Sequence, residues 1–255
     1  MNGILTTTNL TIGYKGKTVA EKLNLELCHG LTALIGRNGS GKSTLIKTLT
    51  GNIRPLEGEV RIEDKSLRGL KRRELARLVA VVTTDPNVAG GFRLKELVEL
   101  GRIPYTRRMG LLGDDDRRIV ENAMRCLDIW RIRDAYVAEV SDGERQKAMI
   151  AKGLVQETRI MLLDEPLSYL DIAARLEILE LIKKLAYENR KAILYSTHEI
   201  GDALRAASKV WMFTTDGFFQ GTPKELVENG DIDRLFGSKK VKFDKTKGDF
   251  ILCEP

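Results

Sequence analysis

Long apolar runs are missing from this chain. No stretch of its 255 residues approaches the ~20 needed to cross a bilayer. Met1 to Leu10 lacks a basic segment followed by an apolar one, so no secretory leader is expected. The three cysteines, Cys28, Cys126 and Cys253, are odd in number and far apart. That excludes zinc-ligand spacing, argues against a disulfide-stapled scaffold and predicts a reduced compartment. Only two histidines are present, His29 and His198. Internal repeats, low-complexity tracts and sustained heptads are absent too. The net charge of +6 and pI near 9.2 favour polyanions. The basic residues are scattered, however, as in Lys71-Arg72-Arg73, Arg107-Arg108 and Lys239-Lys240. They read as solvated faces, and no nucleic-acid partner is expected. The expectation is a soluble chain that reaches a membrane only through a partner.

What is present is a 42% hydrophobic composition, enough to bury one large core. Leu31–Ile35, Val79–Val82, Ile160–Leu163 and Ala192–Tyr195 are short, near-continuous apolar runs. Such runs suit parallel strands covered on both faces. Helical patterns follow most of them, over Lys42–Leu49 and over Ile172–Ala186 with Leu176, Leu179, Ile182 and Leu185. The alternation predicts an α/β core. Leu23–Leu27 and Glu59–Glu63 alternate apolar with polar, which predicts an N-terminal antiparallel region with one wet face. Leu94–Leu127 has apolar residues at 3–4 spacing, punctuated by Gly101, Pro104, Gly110 and Gly113. It is expected to form an inserted α-helical lobe.

Gly36-Arg37-Asn38-Gly39-Ser40-Gly41-Lys42-Ser43 matches the G-x-x-x-x-G-K-[ST] phosphate loop, and Thr44 continues into the helical pattern. A buried strand enters the loop and a helix leaves it. Glycines let the backbone turn its N–H groups inward, and the helix N-terminus adds partial positive charge. Lys42 is expected on the β- and γ-phosphates, and Ser43 on Mg²⁺. This predicts a phosphate-loop NTPase core with a mainly parallel sheet.

A second apolar strand ends in Asp164-Glu165. Successive strand side chains face opposite ways, so two carboxylates at its end can aim at different targets. Asp164 is expected to hold Mg²⁺, and Glu165 to align or deprotonate the water attacking the γ-phosphate. A third strand ends at His198, where a parallel sheet brings its carboxyl edge beside the phosphate loop. His198 is expected to contact the γ-phosphate and Glu165, and His29 reads as a loop residue.

With these residues in place, the chain resembles the ATP-binding subunits of ABC transporters over nearly its whole length. Val140-Ser141-Asp142-Gly143-Glu144-Arg145-Gln146 resembles the family's signature sequence, about twenty residues before Asp164. The resemblance implies one ATPase domain, with residues 1–84 and 157–255 as core, 85–156 as helical lobe and about 230–255 as a short tail. It implies a head-to-tail homodimer on ATP binding, in which Ser141, Gly143 and Glu144 of one copy face the nucleotide of the other. Tyr14 resembles the aromatic that stacks on adenine. Ser168-Tyr-Leu-Asp171 resembles the loop that couples the two sites. The implied partners are two membrane-spanning permease subunits and, indirectly, a solute-binding protein. The implied location is the cytoplasmic face of the cell membrane.

Glu74–Ala80, Leu97–Tyr105, Glu165–Ile172 and the tail through Leu235-Phe-Gly237 resemble importers of iron-siderophores, haem and cobalamin. Two positions depart from the family pattern. Thr84 stands where a glutamine is usual, and Asp85 beside it is a candidate replacement oxygen ligand for the metal. Asp142 replaces a glycine, and its carboxylate is expected to point away from the partner's phosphates. A soluble ABC-type ATPase acting on ribosomes, nucleic acid or cofactor assembly is disfavoured by the single phosphate loop. A kinase or small GTPase is disfavoured because an Asn-Lys-x-Asp sequence is absent.

Overall fold

The computed structural model describes residues 3–83, 91–106, 111–237, 241–244 and 248–252. The chain opens with strands β1 (Leu5–Tyr14), β2 (Lys17–Leu23), β3 (Glu26–Leu27) and β4 (Gly30–Ile35). Helix α1 (Lys42–Leu49), strands β5 (Glu57–Ile62) and β6 (Lys65–Ser66), the single turn α2 (Arg72–Leu75) and strand β7 (Val79–Thr83) follow. Three helices come next: α3 (Leu94–Glu99), α4 (Asp114–Cys126) and α5 (Asp142–Leu154). Alternation then resumes with β8 (Ile160–Asp164), α6 (Ile172–Glu188), β9 (Ala192–Thr197), α7 (Ile200–Ala206), β10 (Lys209–Phe213), β11 (Phe218–Gly221) and α8 (Pro223–Glu228). A hairpin of β12 (Val241–Asp244) and β13 (Asp249–Leu252) closes the described chain.

The strands form two main sheets. One is antiparallel, in the order β2-β1-β5-β6 with β3 beside β1. The other has the order β11-β10-β4-β9-β8-β7, parallel from β10 through β7 with antiparallel β11 at its edge. Ile35 is in register with Thr197 and Thr83 with Asp164. The carboxyl ends of β4, β9, β8 and β7 therefore form one edge, the place where open α/β sheets bind ligands.

Strand parity sorts the core in two. Ala80, Met161, Leu163, Ile193, Tyr195 and Met212 face the layer built from α3–α7. Their neighbours Val79, Ile160, Leu162, Leu194 and Trp211 face the antiparallel sheet, with Leu45, Ile46 and Leu49 of α1 packed between. Every one of these residues is buried, and the Val, Leu, Ile and Met side chains contribute roughly 1.5–3 kcal/mol of transfer free energy each. The mixed α/β fold expected from the apolar pattern is the one observed.

The helical region is tied down by one buried cation. Arg102 bonds Asp116 Oδ1 at 2.8 Å, Glu157 Oε2 at 2.6 Å and the Val155 carbonyl at 2.7 Å. Gly101 permits this approach, since a Cβ there would lie 2.1 Å from the Lys152 carbonyl oxygen. Two local expectations are corrected. Leu23–Leu27 is not one strand, because Thr7 Oγ1 accepts from Leu25 N–H and donates to the Leu23 carbonyl, replacing the ladder. Leu176 lies half exposed, whereas Leu179, Ile182 and Leu185 are buried. Arg73 is exposed, as a solvated face requires, and donates to the Pro104 and Thr106 carbonyls.

Candidate functional site: the phosphate loop and its carboxylates

The loop after β4 turns at two glycines with left-handed backbone, Gly39 at φ 78° and Gly41 at φ 117°. At Gly41 a Cβ would also stand 2.3 Å from Val19 Cγ1, so only glycine fits between β2 and the start of α1. The loop borders a cavity of about 400 Å³ lined by Asn38, Gly39, Ser40, Gly41, Lys42, Ser43, Thr44, Tyr14, Lys17, Val19 and Glu165. Lys42 is 5% exposed; its Nζ donates to the Gly36 carbonyl at 2.9 Å and pairs with Glu165 Oε1 at 3.1 Å. Ser40 Oγ is buried without a partner among the described residues. An ammonium and a helix N-terminus at one cavity suit an anion.

The acids arrive where the sequence places them. Ser43 Oγ donates to Asp164 Oδ1 at 3.1 Å, across 121 residues. Glu165 Oε2 lies 3.1 Å from His198 Nδ1 and accepts from Ser168 Oγ at 3.2 Å. Glu165 itself has φ 52°, a left-handed conformation that costs a non-glycine residue of order 1–3 kcal/mol and clusters at functional sites. Ser196 stabilises that turn. Its hydroxyl accepts the Glu165 N–H at 2.8 Å and donates to Asp164 Oδ1 at 2.7 Å. Sequence reading passed over Ser196; the only signal was its place two residues before His198 at the end of β9.

Tyr14 ends β1 at the cavity rim, half exposed, with its hydroxyl 3.5 Å from Thr44 Oγ1. Arg37 and Asn38 line a second cavity of about 280 Å³ with His198, Ile200, Leu235 and Phe236. Ser141, Gly143 and Glu144 do not line the phosphate-loop cavity; they start α5. Ser141 caps that helix, exchanging hydrogen bonds with Glu144 at 2.7, 2.9 and 3.3 Å. Those bonds hold the Glu144 carboxyl below its ordinary range, the Ser141 hydroxyl contributing most. The Asp142 carboxylate forms an ion pair with Arg145 on the same helix. Asp171 caps α6, accepting the Ala174 N–H at 2.8 Å. Thr84 and Asp85 lie outside the described residues; Thr83, the last described residue of β7, is in register with Asp164.

A lysine, a serine, two acids and a histidine thus converge on one glycine-rich loop. The arrangement can hold a triphosphate and place a carboxylate beside it. Comparison with known proteins agrees. The family model described as "ABC transporter" matches residues 20–168. The chain is 36% identical over 237 residues to the ferric enterobactin transport ATP-binding protein FepC of Escherichia coli, covering 92% of this chain and 88% of that one. It is 37% identical over 202 residues to the iron(3+)-hydroxamate import ATP-binding protein FhuC of Bacillus subtilis, covering 79% and 75%. Among solved structures, a chain described as a metal-chelate type ABC transporter in an inward-facing conformation superposes with a TM-score of 0.84. That match covers 99% of this chain and 98% of the other at 22% identity, and it supports the fold alone. The chain belongs to the ABC transporter family, as one of its ATP-binding, ATP-hydrolysing subunits.

Proposed function

We propose that this subunit energises import of a metal chelate of the iron-siderophore, haem or cobalamin class. The names of two 36–37% identical relatives, for ferric enterobactin and iron(3+)-hydroxamate, support the iron-chelate member of that class. The observation carrying the chemistry is the convergence of Lys42, Asp164, Glu165 and His198 on the phosphate loop.

In this reading the loop from Gly36 to Thr44 wraps the phosphates and Tyr14 stacks on the base. The Lys42 ammonium leaves Glu165 for the β- and γ-phosphates. Charge-assisted contacts of this kind contribute roughly 1.5–3 kcal/mol each. Ser43 and Asp164 are the residues that would hold Mg²⁺. Their donors are oxygens already 3.1 Å apart, which suits a hard cation. Mg²⁺ supplies charge neutralisation at the phosphates. Glu165 aligns the attacking water and accepts its proton; His198 contacts the γ-phosphate and holds Glu165 by its second oxygen.

Two copies pair head to tail. Ser141, Gly143 and Glu144 at the start of α5 then cap the partner's nucleotide, and the loop ending at Asp171 joins the two sites. Asp142 is paired with Arg145 on its own helix, which lessens the repulsion a carboxylate would bring to the partner's phosphates. The 85–156 lobe docks on two membrane-spanning subunits at the cytoplasmic face. No helix among the described residues is long and apolar enough to cross a membrane, so contact with the bilayer runs through those partners. The test is co-expression with the permease and a chelate-binding protein. Co-purification and ATP turnover stimulated by the loaded binding protein are expected. Full turnover by the isolated subunit, unchanged by any membrane partner, would contradict the coupling.

A further inference from the structure

His198 sits between two carboxylates. Its Nδ1 is 3.1 Å from Glu165 Oε2, and its Nε2 is 3.8 Å from Glu199 Oε1. Glu199 is not free to swing. The Arg175 guanidinium clasps the same Oε1 through Nη1, and the Glu199 N–H donates to Thr197 Oγ1 at 3.0 Å. Arg175 is anchored in turn. Its Nε lies 3.4 Å from Asp202 Oδ2, and Arg205 donates to the other Asp202 oxygen at 2.7 Å. Asp202 is buried against the sheet, close enough to the buried Tyr195 for its charge to add to the burial that pushes the phenol upward.

Arg175 belongs to α6, one turn from the cap. Its N–H donates to the carbonyl of Asp171, the residue whose side chain starts the helix. The path Asp171–Arg175–Glu199–His198–Glu165 therefore joins the loop before α6 to the acid beside the phosphate loop, each residue within 4 Å of the next. An imidazole turned about its Cβ–Cγ bond would exchange its edges, and a neutral ring donates from one nitrogen only. A ring that carries a proton on Nε2 would lose the facing, immobilised Glu199 carboxylate on turning, so that carboxylate opposes the rotation.

We infer that Glu199, held by Arg175, is a positioning residue that fixes the orientation of the His198 ring, and that this makes His198 answer to the placement of α6. The inference rests on the reading of His198 as a γ-phosphate contact. Glu199 touches neither substrate nor metal in it; it acts through the histidine. Arg175 couples the two ends because one rigid guanidinium reaches both Glu199 and Asp202.

The test uses the full chain with ¹⁵N-labelled histidine, in which His29 is an internal reference because the chain has only two histidines. Glu199→Gln and Arg175→Gln are each expected to move the His198 imidazole nitrogen signals and leave those of His29 in place, without nucleotide. Unmoved His198 signals in both variants overturn the inference, whatever the turnover. With ATP, Glu199→Gln is expected to lower kcat roughly 10–100-fold, by analogy with the outer partners of metal-ligating histidines, with KM for ATP little changed. In a His198→Ala background the same substitution is expected to cost nothing further. An equal loss in both backgrounds means a structural role and overturns the inference. A wild-type protein without turnover sinks the ATPase reading instead, and the spectroscopic arm still decides the positioning role.

Discussion

Ser196 and Asp164 are joined by a 2.7 Å hydrogen bond, and the same Ser196 hydroxyl receives the backbone N–H of Glu165 at 2.8 Å. One side chain on β9 thus holds both acids at the end of β8. Asp164 is fixed beside Ser43, and Glu165 is kept in a left-handed turn that directs its carboxylate toward Lys42 and His198.

Ser196→Ala removes both bonds at a fully buried position. An unsatisfied Glu165 N–H is expected to cost roughly 1–3 kcal/mol of stability. Thermal unfolding measures that loss. Turnover should fall along with it, because the Glu165 carboxylate loses its fixed aim. Wild-type kcat in the variant would show that Ser196 only fills space.

Glu165→Gln keeps the shape of the side chain and removes its basicity. Turnover is expected to fall about 10²–10⁴-fold, the usual contribution of a positioned general base, while ATP binding persists. Equilibrium binding of a fluorescent ATP analogue and a phosphate-release assay separate the two effects. Loss of binding equal to the loss of rate would reassign Glu165 to ground-state contact.

Tyr169 is 84% exposed and Ile172 69% exposed, at the junction where Asp171 starts α6. In the head-to-tail pairing proposed above this apolar pair is covered by the second copy. With Glu165→Gln and ATP, sedimentation should show a dimer. Adding Ile172→Asp is expected to weaken it roughly 10–150-fold, the equivalent of losing about 1.5–3 kcal/mol of side-chain burial. Dimers of undiminished affinity would place the contact elsewhere.

The cap of α5 should respond to acid. The Ser141 hydroxyl, then its N–H, stabilise ionised Glu144 and lower its pKa from the ordinary 4.5. A depressed folded value means the stabilisation is complete above the ordinary value and is lost as pH falls through the lower one. The Ser141 amide signal should therefore shift in acid below pH 4.5. In Glu144→Gln the same signal should not titrate. A wild-type signal flat across that range would show the cap does not depend on charge.

The phosphate loop was legible because its chemistry is local. Glycines at 39 and 41, a lysine at 42 and a serine at 43 fall within five residues, and their backbone demands follow from residue type. Asp164, Glu165 and His198 were legible as ends of apolar strands, since parallel strands share a carboxyl edge. The break between Leu23 and Glu26 was not, because Thr7 supplies it from sixteen residues away through a side-chain bond that no alternation pattern records.

The sequence alone determined which strands are buried on both faces, where the glycine-rich loop lies, and which acids and histidine stand at neighbouring strand ends, because side-chain period and strand-end chemistry are properties of adjacent residues. Tertiary structure alone decided that Ser196 joins both acids, that Lys42 rests on Glu165 and that Arg175 reaches Glu199. These contacts span 24 to 123 residues, and they exist only once the strand order places β4, β9 and β8 side by side and lays α6 over them. An apolar pattern specifies that strands are covered; it does not specify which neighbour each strand takes.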